Sequence, residues 1–132
     1  MQIFDPDQLP VALKIPGIEI RAQESEGGMT LLYYVFEKGA KGLNELLVGL
    51  PGDSCSARHW GYMIKGKLRY QFGDTHHDVK AGQIFYAAPG HTVEVLEDTE
   101  FCEVSPSHDL AVVGAHFAQK LAALAQAQQT SV

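Results

Sequence analysis

Between residues 18 and 104 the apolar residues come in short runs, each bounded by Gly, Pro, Asp or Asn. Punctuation of that kind predicts short strands joined by brief turns. The runs cover 18–22, 29–37, 43–50, 58–65, 67–72, 76–79, 83–87, 92–96 and 100–104. Nine strands in so short a span predict an all-β barrel or sandwich. The alternation is cleanest from Lys67 onward, with Leu68, Tyr70 and Phe72 on one face and Lys67, Arg69 and Gln71 on the other. That is a half-buried strand. In the preceding run His59, Gly61 and Met63 share one face and Trp60, Tyr62 and Ile64 the other, so neither face is polar and something must cover the outer one. After residue 104 the period changes. Ser105-Pro106-Ser107 reads as a helix start, and Leu110, Val113, Phe117, Leu121 and Leu124 recur at three and four residues. The spacing predicts one amphipathic helix over 107–128. The chain therefore divides into a β domain over 1–106 and a C-terminal helix over 107–132, packed on its own barrel or on a partner chain.

Composition narrows the function classes. A chain of 132 residues holds one domain, and no apolar run approaches the ~18 residues of a membrane helix. The net charge of −6 argues against a nucleic-acid partner, whose phosphates call for Lys and Arg. The first residues, with two aspartates and two prolines, lack the basic region of a secretory signal, so the expected compartment is the cytoplasm. There, Cys55 and Cys102 are expected to be free thiols, Cys102 buried in its apolar strand. No Gly-rich phosphate loop, GxSxG elbow, CxxC pair or HExxH motif is present, which weakens nucleotide, hydrolase and zincin readings.

Two segments carry a resemblance. The stretch HWGYMIKGKL, His59 to Leu68, has a strand, a turn glycine and a second strand. Ala81 to His91 runs from a glycine turn through an apolar strand to the Pro89-Gly90 bend, and PGHTVEV follows. Together they resemble the two motifs of small, single-domain bacterial cupins over roughly residues 52–104. The resemblance implies a double-stranded β-helix, or jelly roll, with a ligand cavity inside. It also implies a metal set of three histidines and a glutamate, which this sequence does not keep in register. The glutamate slot falls on His59, the first two histidine slots fall near Asp53 to Cys55, and the last falls on Val93.

A different set is still available. By strand alternation His59 and His91 face a common interior. His77, two residues before Val79, would approach the same space, and Cys55 could add a thiolate. These four are the candidate ligands for a divalent transition metal such as Zn, Fe, Mn or Ni. The competing reading makes His59, Met63, Tyr70 and His91 the wall of a small-molecule pocket, with the tyrosine hydroxyl needing a partner. The leading function is accordingly a small-molecule-binding cupin. The alternative is a metal-dependent cupin enzyme of dioxygenase or isomerase type. Two further readings are metal-free proton transfer by the facing imidazoles and a barrel filled by its own side chains. His76, Arg58 and Glu94 should face solvent, and His108 and His116 receive no role. The doubly apolar strand and the amphipathic helix predict a homodimer, with cover by the N-terminal segment as the rival explanation.

Overall fold

A computed structural model of the protein describes residues 1–130 and has two antiparallel sheets followed by a long helix. The strands are β1 (Val11–Ile15), β2 (Ile18–Ser25), β3 (Met29–Phe36), β4 (His59–Lys65), β5 (Lys67–Phe72), β6 (Thr75–Lys80), β7 (Ile84–Ala87), β8 (Thr92–Val95) and β9 (Thr99–Pro106). The helices are α1 (Gly42–Leu47) and α2 (Ser107–Thr130). The larger sheet runs β1-β2-β3-β9-β4-β7 and the smaller β6-β5-β8. Their inner faces enclose one core containing Ile20, Tyr34, Phe36, Met63, Leu68 and Phe101. The jelly roll implied by the cupin resemblance is the fold observed, in agreement with the all-β barrel or sandwich that the strand pattern predicts.

Gly66 makes the tight passage from β4 to β5. Its φ is +86°, and a Cβ there would collide with the backbone carbonyl of Asp98. Only glycine fits that conformation and approach.

Three expectations are corrected by the structure. Residues 43–50 are not a strand: Leu43, Leu46, Leu47 and Leu50 recur at helical spacing, and Gly42–Leu47 is α1. Asn44 on that helix bonds both the carbonyl and the N–H of Val93 and so ties α1 to β8. Strand β1, which the pattern did not predict, pairs with β2 at the sheet edge. Ser105 and Pro106 belong to β9 rather than to a helix cap, and α2 starts at Ser107, whose hydroxyl lies 2.7 Å from that of Thr30.

Helix α2 packs on its own barrel through Leu110, Val113, Phe117 and Leu121, whereas Leu124 is exposed. The Arg58 guanidinium holds Asp109 at 2.8 and 3.2 Å near the start of the helix. Farther along, His116 and Lys120 bond the carbonyls of Val48 and Glu45. The α1 carbonyls beyond the last helical bond need such partners. Trp60, Tyr62 and Ile64 of β4 are exposed, beside Ile84 and Tyr86 of β7. The N-terminal segment does not cover them: its strand β1 lies at the opposite edge of the sheet.

Candidate functional site

The site begins with backbone. Cys55 and His91 form an isolated antiparallel bridge, the N–H of Cys55 donating to the His91 carbonyl at 2.8 Å and that of Gly90 to the Cys55 carbonyl at 2.8 Å. This pins the loop before β4 to the bend before β8. His59, first residue of β4, points inward beside them. The Sγ of Cys55 lies 3.5 Å from Nε2 of His59, and the two imidazole rings are 5.1 Å apart. One donor atom from each of Cys55, His59 and His91 falls within 4.8 Å of the others, and all three residues are buried.

Each imidazole is also held from behind. His59 Nδ1 lies 2.6 Å from Ser105 Oγ and 3.4 Å from a carboxylate oxygen of Glu103. His91 Nδ1 lies 2.7 Å from the carbonyl oxygen of Ala88. A carbonyl only accepts, so this nitrogen carries the proton and Nε2 of His91 is an acceptor. Tyr70 donates its hydroxyl to the other oxygen of Glu103 at 3.0 Å. The partner that Tyr70 needed is thus a buried acid.

Burial sets the protonation states. It lowers His59 to about 4 and lowers His91 as well, so both imidazoles are neutral at neutral pH. It raises Cys55 to about 11, a thiol. It raises Glu103 to about 7, against the hydrogen bonds from Tyr34 and Tyr70 that pull the other way. At neutral pH the two imidazoles and the thiol are therefore uncharged, and Glu103 is the one group of the site near its titration point.

These residues form the floor of a cavity of about 510 Å³. Its walls are apolar side chains from β1 to β3 and from α2, among them Leu13, Ile20, Leu32, Phe117 and Leu121. The barrel is not filled by its own side chains.

The residues singled out from sequence separate into two groups. His59, His91, Cys55 and Tyr70 meet on the cavity floor, and Met63 is fully buried in the adjoining core. His77 does not join them. It is exposed on β6, the edge of the smaller sheet, and Phe72 stands between it and His91, with ring centroids 6.1 and 5.9 Å away respectively. Its place in the ligand set is corrected accordingly. Cys102 is half-buried on the outer face opposite Tyr33 and Tyr62, not in the core. His76 and Glu94 are exposed as expected, and Arg58 lies at the surface on Asp109. Glu103 and Ser105 are the site residues that sequence reasoning missed. Counting by twos from the inward Phe101 reaches both.

The fold and site together are a jelly roll around a cavity with a His-His-Cys floor, the architecture of a cupin-type barrel. The comparisons agree. Residues 56–101 match the family model of the AraC-like ligand-binding domain. Similar solved structures include KdgF from a Halomonas species, 16% identical over 80% of this chain and 94% of that one, with a TM-score of 0.55. A protein of unknown function from Rhizobium leguminosarum is 15% identical over 80% of this chain and 95% of its own, with a TM-score of 0.57. An oxalate decarboxylase variant from Bacillus subtilis is 18% identical over 78% of this chain, with a TM-score of 0.55, and this chain spans only 28% of it. No curated protein matches the sequence. At such identities the likeness is one of fold: the chain has the jelly roll seen in these cupin structures. No helix among the described residues is long and apolar enough to cross a membrane.

Proposed function

We propose that the protein binds a small, largely apolar molecule inside the barrel, its polar end against His59, His91 and Cys55. The observation that carries this reading is the apolar cavity of about 510 Å³ closed at its base by that polar cluster. Cavities of this size hold small molecules, apolar walls giving affinity and a few polar atoms giving orientation. Because Nε2 of His91 offers only a lone pair, a hydroxyl or N–H is the matching group on the ligand. The test is isothermal titration with octanol and with an ether of equal size. Octanol should bind about fivefold more tightly, the worth of one neutral hydrogen bond. Failure of both to bind would refute the reading.

One observation favours a second reading, a metal-dependent cupin enzyme. Cys55, His59 and His91 offer a thiol and two imidazoles close enough to hold one divalent ion, and each imidazole is oriented through its other nitrogen, as metal-ligating histidines usually are. Three protein ligands with a position open to the cavity suit a catalytic ion, and the sulfur shifts preference toward zinc. Such an ion would polarise a bound carbonyl or water. Elemental analysis after growth with Zn, Fe, Mn and Ni decides this reading: about one equivalent per chain supports it, and a trace amount removes it.

The exposed apolar face of β4 and β7 supports the homodimer reading, with a second copy covering Trp60, Tyr62 and Ile84. Sedimentation at one-chain mass would exclude it.

A further inference from the structure

Helix α2 carries a glycine in its interior, Gly114, that the fold does not require. Glycine is the poorest helix former after proline, and its usual justifications are a positive φ or a close approach by another segment. Gly114 has neither: it sits within regular helix, and a Cβ built there meets nothing within 4 Å. The contrast with Gly66, where a Cβ would strike backbone, is direct.

Gly114 does line the cavity, and it is exposed. So are Ala111 and Ala118, one turn before and after it, and Ala12 and Glu24 on β1 and β2. The buried lining residues lie deeper, toward His91. The cavity therefore meets solvent between α2 and the β1–β2 edge, and its helical side there is built of side chains too small to obstruct it.

We infer that Gly114 is a specificity-determining residue that keeps this mouth open, so that the site takes an elongated apolar molecule running from the His59–His91 floor out past α2. The inference rests on the ligand-binding reading above and adds the length class of the ligand. A compact ligand held at the floor would gain nothing from a glycine at the mouth. Because the helix would be better formed with alanine, the open space is the property the residue supplies.

The test uses the full chain, N-phenylnaphthylamine as a fluorescent probe of the cavity, and hexanol, octanol and decanol as competitors. In the parent protein affinity should rise about fourfold for each methylene removed from water, up to decanol. Gly114→Leu should leave hexanol within about twofold and weaken decanol by about fifteenfold, the worth of two methylenes. Gly114→Ala should fall between the two. Both variants should melt at or above the parent temperature, since each improves the helix. Equal loss across the series, an unchanged preference for decanol, or a lower melting temperature in Gly114→Ala would each overturn the inference. Failure of the probe and of all three alcohols to bind the parent protein would instead overturn the ligand-binding reading.

Discussion

Replacing Glu103 by Gln should change the pH dependence of stability far more than stability itself at low pH. Glu103 is 3% exposed, and burial raises its carboxyl from 4.5 to about 7. The folded chain therefore holds a proton on Glu103 between about pH 4.5 and 7 that the unfolded chain has released. More protons on the native state mean that unfolding free energy falls as pH rises through this window. At about 1.4 kcal/mol per pH unit the loss totals about 3 kcal/mol. His59 acts in the opposite sense. Its imidazole is lowered from 6.5 to about 4, so the unfolded chain binds the extra proton and stability rises by about 3 kcal/mol over nearly the same range. His91, also lowered, adds to the rise. The opposed titrations flatten the profile of the parent protein. Glu103→Gln keeps the shape and an acceptor for Tyr70 but removes the titration, so the histidine slope should stand uncovered. Urea unfolding followed by the circular dichroism of α2, from about pH 4.5 to 8, measures it. The variant should be close to the parent at the acid end and gain on it steadily, to about 3 kcal/mol at the alkaline end. A constant difference across the range would refute the reasoning, and a variant that loses ground as pH rises would mean that the carboxylate is stabilised where it sits.

Gly66→Ala should destabilise the fold by about 3 kcal/mol, since it combines a left-handed backbone with a collision against the Asp98 carbonyl; an unchanged denaturation midpoint would contradict the turn geometry. Cys55, buried and raised to about 11, should react with a disulfide reagent at neutral pH far more slowly than an unperturbed thiol. On the metal reading, added zinc should slow it by a further tenfold or more in a Cys102→Ser background, and labelling indifferent to zinc would count against that reading.

The parts of the fold legible in the sequence are those where one period held without interruption. Lys67 to Phe72 alternates strictly, and its burial alternates with it as far as Tyr70. The leucines of 43–50 misled because a short apolar run fits either a strand or a helix, and only their three-and-four spacing, broken by the polar Asn44 and Glu45, argued for α1. The site was half legible for the same reason. His59 opens β4 and His91 immediately precedes β8, strands whose faces could be counted, and Cys55 joins them through a backbone bridge that no local pattern encodes. His77 satisfies the same alternation yet lies on the edge strand β6, whose inner face is covered at Val79 and left exposed at His77. Glu103 and Ser105 were hidden by a prior about residue type: a carboxylate in an apolar strand reads as outward, and Ser-Pro-Ser reads as a cap. Alternation from Phe101 points the other way, and it prevails because Tyr34, Tyr70 and His59 supply the partners that an acid needs in order to be buried. The polar floor is therefore a property of the assembled barrel. His59, Tyr70 and Glu103 are tolerable in an apolar interior because residues distant in sequence satisfy them, which is why the strand faces could be counted in advance and the network among them could not.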